Sequence, residues 1–273
     1  MASREISIRN ASAFTMIEIA ICLAIIGFAL VAIIGVLPLG MNTQRDNREE
    51  TVINQDATVL LGAVRDAARG ADYLTNYVYA ITNHWVSYNT DGTVNTPGTD
   101  GFTYTTASFN GTANDYYRLT NGANIIGRLS VPEFTDDNGK PLADTFGQFY
   151  YSNHITAYVR SLSGIASDRP PQDNALMLGD SFGYHVFCVN APMPVDTNSF
   201  ILPSDPKAPS AFNTQLAGNQ RELRLTFLWP QLPNGNVGNG RQTFRMTVAG
   251  QLVPQFNNIQ SVYYYQPQFT NAP

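Results

Sequence analysis

Charge is scarce in this chain. Asp, Glu, Lys and Arg make up only 14% of its 273 residues, and the formal net charge is −5 at neutral pH. A protein that neutralises phosphates needs clustered Lys and Arg, so no nucleic-acid partner is expected. Histidine and cysteine are scarcer still, with three of the first (His84, His154, His185) and two of the second (Cys22, Cys188). They are widely separated in sequence and form no C-x-x-C or H-x-x-x-H spacing, which leaves no zinc signature. Cys22 lies in an apolar run and Cys188 in a distant strand-like run, so no disulfide between them is expected. No G-x-S-x-G and no phosphate-cradling glycine loop is present, and a pair such as Ser181 with His185 arises by chance. Asp136, Asp137, Asn138 and Asp144 bring several oxygens together, but their order departs from the calcium loop D-x-[DN]-x-[DN]-G. A plain turn is the favoured reading there. Asp168, Asp173 and Asp180 read as solvated loop residues, not as a carboxylate pair for acid–base work. No enzyme activity, cofactor or metal is therefore expected.

What the chain does have is one long apolar run. From Ile19 to Leu39 no side chain is charged, and ~20 apolar residues at ~1.5 Å rise cross a hydrocarbon core of ~30 Å. Arg4 and Arg9 against Glu5 give the preceding segment a positive excess, which favours a cytoplasmic N-terminus and an outward-facing remainder. A secretory signal peptide would have a shorter apolar region and a small-x-small cleavage site after it. Nothing near Gly40 reads that way. Glu18 is the anomaly, because it sits inside the apolar edge. A carboxylate at the centre of a membrane helix costs roughly 2.5–3.5 kcal/mol, less near the interface, so it calls for a partner or for snorkelling to the headgroups.

The residues around Glu18 resemble the amino-terminal signal of the type IV pilin and pseudopilin family. Phe14, Thr15, Met16, Ile17 and Glu18 follow the family pattern of Phe, Thr, an aliphatic pair and Glu, and Ala24-Ile25-Ile26-Gly27 is similar to family sequence. The resemblance implies a leader, residues 1–13, cut between Ala13 and Phe14 by a prepilin peptidase that also N-methylates Phe14. It implies that Glu18 pairs with the terminal amine of a neighbouring pilin or pseudopilin subunit during assembly. Ala13 stands where the family usually has Gly. Gly35 stands where major pilins have a helix-kinking proline, and Pro38 follows three residues later; both weaken helix hydrogen bonding, so a kink or local melting is expected there.

Beyond the apolar run, Val52 or Ile53, Ala57, Leu60 or Leu61, Val64 and Ala67 recur at spacings of three and four. Arg45, Asp46, Arg48, Glu49, Glu50, Asp56, Arg65 and Asp66 fill most of the opposite face, and Gly70 is a natural stop. If continuous, residues 14–69 make a rod of roughly 85 Å. Residues 73–126 are rich in Tyr, Asn, Thr and Gly, with turn signals at Asp91-Gly92, Pro97-Gly98, Asp100-Gly101, Asn110-Gly111 and Asn121-Gly122. They read as an elaborated loop or small subdomain with short strands. Thr135 to Pro141 is another turn. Ile155, Ala157 and Val159 alternate within a strand at 146–162, residues 184–190 form a second strand, and the prolines at 192, 194, 203, 206 and 209 mark an exposed loop. The clearest sheet signal is Leu223, Leu225, Phe227 and Trp229 followed, across Pro233-Asn-Gly235, by Phe244, Met246 and Val248. These runs predict an antiparallel pair with one buried face. Residues 259–265 add a strand. The Tyr263-Tyr264-Tyr265 cluster with Phe269 suits core and rim more than sugar stacking, and Cys188 suits a buried apolar site.

The expected class is α+β: a long N-terminal helix, membrane-spanning then amphipathic, packed on a C-terminal antiparallel sheet, as the pilin resemblance also implies. The expected organisation is leader 1–13, transmembrane helix 14–41, amphipathic continuation 42–70 and extracytoplasmic head 71–273. The expected role is a structural subunit of a type IV pilus or secretion pseudopilus. Its bulky head favours a minor or tip-associated subunit. It would sit in the inner membrane with its head periplasmic. The rival is a single-pass anchored module that binds a glycan or a secreted partner and forms no filament. A membrane-tethered hydrolase is disfavoured, because no catalytic arrangement can be assembled from the residues named.

Overall fold

A computed structural model describes residues 14–66, 71–89, 91–103, 119, 121–142, 151–163, 181–193, 218–257 and 260–266. The chain divides into two compact units, Met1–Thr51 and Val52–Pro273. The division falls inside a helix whose last turns supply core to the sheet.

Helix α1 (Met16–Arg65) begins in the first unit. Its apolar side chains from Met16 to Met41 are all exposed, and the segment is long and apolar enough to cross a membrane. The helix runs unbroken through Gly35 and Pro38, where melting was expected. Proline removes one i→i−4 bond, but the roughly six turns before it and seven after it hold the register. Thr43 Oγ1 adds a bond to the Leu39 carbonyl at 3.0 Å. Helical structure is described only to Arg65, and the expected stop at Gly70 lies outside the described residues.

In the second unit the helical period selects Ile53, Ala57, Leu60 and Val64, all buried. Val52 and Leu61, the alternatives at two of these positions, are half-buried. The same face also buries Asp56, which was expected among the solvated charges. Its position one residue before Ala57 turns it inward with Ile53 and Leu60.

The sheet has seven antiparallel strands, in the order β2-β1-β4-β5-β6-β7 with β3 paired to one end of β4. They are β1 (Val78–Tyr88), β2 (Val94–Thr103), β3 (Phe134–Thr135), β4 (Tyr151–Arg160), β5 (Gly183–Pro192), β6 (Gln220–Gln231) and β7 (Val237–Ala249). One face of β4, β5 and β6 places Ile155, Ala157, Val159, Tyr184, Val186, Cys188, Leu223, Leu225 and Phe227 in the core with the α1 residues. The alternation read from β4 and from the β6–β7 pair is the observed one; Phe244 and Met246 are half-buried and Val248 buried. Pro192 closes β5 opposite Arg221 instead of belonging to the loop.

Two expectations need correction. Among the described residues of 73–103, the expected loop or small subdomain with short strands is instead a short 3-10 turn (Asp72–Asn76) and two strands of 11 and 10 residues. Of the turn signals there only Asp91-Gly92 makes a turn, with Gly92 at φ +81°. Pro97-Gly98 and Asp100-Gly101 lie inside β2, which tolerates them because it is an edge strand. Asn121-Gly122 opens helix α2 (Gly122–Leu129), where the Asn121 side chain accepts from the Asn124 N–H at 2.7 Å. The strand read at 259–265 is β9 (Gln260–Gln266). It pairs with β8 (Gln251–Asn257) as a separate ribbon that packs on α2.

Candidate functional site

The helix start comes first. Ala13 lies outside the described residues, while Phe14 and Glu18 are described and exposed. Glu18 Oε2 accepts from the Thr15 N–H and from Thr15 Oγ1, each at 2.8 Å, and the Glu18 N–H faces Thr15 Oγ1 at 3.4 Å. This reciprocal arrangement is a capping box: Thr15 caps the helix and a glutamate three residues on reaches back to it. Thr15-x-x-Glu18 is the sequence signature of that motif, so it was readable. The carboxylate therefore has a local partner within its own chain. That partner, Thr15, is the residue next to Phe14, where an amine would appear if the chain were cut there.

The loop acids form a turn. Asp136 Oδ1 accepts from the N–H groups of Asn138 at 3.0 Å and Lys140 at 2.7 Å, and Gly139 adopts φ +74°. Asp137 Oδ1 takes the Asn138 amide at 3.0 Å. Asp144, Asp168, Asp173 and Asp180 lie outside the described residues, and among the described residues no group of three metal-ligating side chains exists. Cys188 is buried, and burial pushes its thiol well up, as suits an inert apolar filler. Tyr263, Tyr264 and Tyr265 each spend their hydroxyl on the fold, on Gly139 O, Ala123 O and Asn190 Oδ1 at 2.7, 2.9 and 2.8 Å; Phe269 lies outside the described residues.

Two arrangements escaped the sequence reading. His84 and His154, far apart in the chain, stand directly opposite each other on β1 and β4. The His84 ring also meets Thr99 Oγ1 at 2.8 Å. Two imidazoles are fewer than the three or four protein ligands of a zinc site. The second arrangement is a cleft of about 230 Å³ at the end of the sheet's core face. Strand register builds its floor in successive rows across β2, β1 and β4. The innermost row is Phe102, Ile81 and Ala157; the next is Asp100, Asn83 and Ile155; the outermost begins with Gly98, Trp85 and Asn153. Along one face the side chains thus change from apolar to polar and aromatic. Arg128 of α2 closes one side, its guanidinium 3.3 Å above the Phe102 ring, a stacking geometry that suits Arg. Tyr151 lies edge-on to Trp85, with centroids 6.1 Å apart. Asn83 Nδ2 donates to Asn153 Oδ1 at 3.0 Å. Burial raises the Asp100 pKa, opposed by the Trp85 indole N–H donating to it and by the Arg128 charge. Trp85 lies across Gly98, where any Cβ would enter the indole ring.

No family model, curated protein or solved structure matches this chain.

Proposed function

We propose that this chain is a pilin-like structural subunit of a type IV pilus or a secretion pseudopilus, held in the inner membrane with its head outward. Prepilin peptidase cuts it between Ala13 and Phe14 and methylates Phe14. The subunit then packs by its helix among other pilin or pseudopilin subunits. One observation carries the reading: Phe14-Thr-Met-Ile-Glu18 opens a helix whose apolar side chains stay exposed as far as Met41 and whose last turns form the core of an antiparallel sheet. Exposed apolar surface on that scale calls for lipid or neighbouring subunits. The bulky head favours a minor or tip-associated place.

A second reading, an anchored binding module without a filament, draws on the capping box. That motif gives Glu18 a use needing no other subunit. Mass spectrometry of the mature amino terminus separates the two. A start at Phe14 is expected, and a start at Met1 leaves a plain anchor. Glu18→Gln and Thr15→Ala divide them further. Both damage the cap, but only the first removes a charge that pairs with a neighbour's amine. Breaking a buried ion pair costs on the order of 3–5 kcal/mol, a few hundredfold in incorporation. Glu18→Gln should be cleaved yet fail to cross-link to partner subunits, while Thr15→Ala cross-links normally. Equal cross-linking of both with the unmodified chain defeats the assembly role.

A further inference from the structure

We propose that the cleft over β2, β1 and β4 binds a single uncharged pyranose ring. Its volume, about 230 Å³, is below the about 300–1,000 Å³ of sites for drug-sized ligands. One ring fits, and an extended chain does not. Charge selects against ions, because Asp100 and Arg128 line the same cleft with opposite signs. A charged ligand meets a like charge beside each opposite one. Trp85 supplies the platform: one face of its indole is laid against Gly98, the ring is half-buried, and the negative face of an aromatic ring suits the polarised C–H groups of a sugar. Asn83 and Asn153 each carry both donors and acceptors, the mixed capacity that ring hydroxyls require.

A sheet face that served only as core would continue the apolar row of Phe102, Ile81 and Ala157. Instead it turns polar where it leaves α2, and breaks in local patterning of this kind mark functional sites. Among the described residues the lining holds one carboxylate, Asp100. Glycoside hydrolysis usually takes two, so binding is the activity proposed for the cleft. The inference holds whether or not the chain enters a filament.

The test uses the full chain in lipid nanodiscs, free of glycosidic detergent. Methyl glycosides of glucose, galactose, mannose and N-acetylglucosamine are titrated, with glucuronate and an Ala-Tyr-Ala tripeptide alongside. Of the two tryptophans, Trp229 is 8% exposed and shielded in the core, so quenching by ligand reports Trp85. A saturable response to at least one neutral glycoside is expected, with a Kd on the order of 1 mM. Asn83→Ala should weaken it about tenfold. Asp100→Asn keeps the shape and shifts the local charge by about one unit toward positive, so it should move preference toward glucuronate. Circular dichroism confirms that each variant is folded; should Asn83→Ala fail to fold, the Asp100→Asn shift decides. No saturation by any neutral glycoside up to about 50 mM overturns the proposal. So does saturation by the tripeptide or glucuronate alone, or unchanged binding in folded Asn83→Ala.

Discussion

Replacing Asp56 probes how the second half of α1 is fastened to the sheet. The carboxylate is fully buried, and its Oδ2 accepts from the Leu162 N–H at 2.9 Å and the Tyr184 hydroxyl at 2.8 Å. Asp56→Ala leaves two buried donors unmet, at about 1–3 kcal/mol each. Removing the carboxylate also relieves the cost of burying it, so a net loss of about 3 kcal/mol is expected. In a unit of this size that lowers the unfolding midpoint by about 6–12 °C. Asp56→Asn behaves differently. An amide oxygen has two lone pairs and can accept from both donors, so this variant should lie within about 1 kcal/mol of the parent at neutral pH. Tyr184→Phe removes one charge-assisted bond and falls between, at about 1.5–3 kcal/mol.

The pH dependence has a definite sign. Burial raises the Asp56 pKa, opposed by the nearby Ser163 and by the bonds from Tyr184 and Leu162. With the folded pKa above the unfolded one, the native state binds more protons in the interval between them. Its contribution is complete below the unfolded value, near 4, and is lost as pH rises through the folded value. The parent should therefore lose stability relative to Asp56→Asn as pH rises through that interval. Urea unfolding of the full chain in nanodiscs, followed by Trp229, measures the series at several pH values. Equal destabilisation by Asn and Ala would refute the argument, since it would mean that the charge and not the accepting oxygen holds the helix.

The division within α1 implies that a fragment starting at Asn42 unfolds cooperatively, whereas one starting at Ala71 lacks Ile53, Ala57, Leu60 and Val64 and aggregates or melts without a clear transition; size-exclusion and calorimetry distinguish them. Arg221 is 4% exposed and donates to Asn190 Oδ1, Asn190 O and Leu142 O at 2.8, 3.0 and 3.0 Å. A lysine ammonium cannot span that fork, so Arg221→Lys should cost about 2 kcal/mol and speed amide exchange in β9, whose Tyr265 bonds the same Asn190.

Periodicity carried most of what was legible. The inward residues of α1 recur at helical spacing, and those of β4 and β6 alternate over four or more positions, so a period-3.6 or period-2 pattern stands out. Asp56 was misassigned because period identifies a face, not which polar residue on it finds partners. Those partners, Leu162 and Tyr184, are more than 100 residues away in sequence. Helix α2 has eight residues and begins at a glycine, which left too few turns for a period to show.

Two of the three strands that floor the cleft, β1 and β2, escaped notice. On β1 the inward positions read Ile81, Asn83, Trp85 and Ser87, an alternation that loses its apolar member halfway along. On β2 the corresponding positions read Phe102, Asp100, Gly98 and Thr96, with Pro97 between the last two, a composition that resembles turns more than a strand. Each departure has a structural use. Gly98 leaves room for the Trp85 ring, Pro97 sits on an edge strand, and Asp100 lies in register with Asn83. Apolar residues at 83 and 100 would have continued the inward alternation of both strands and carried the core into the cleft. Concealment in sequence and polarity in the fold thus have one cause, a sheet face that stops being core before its strands end.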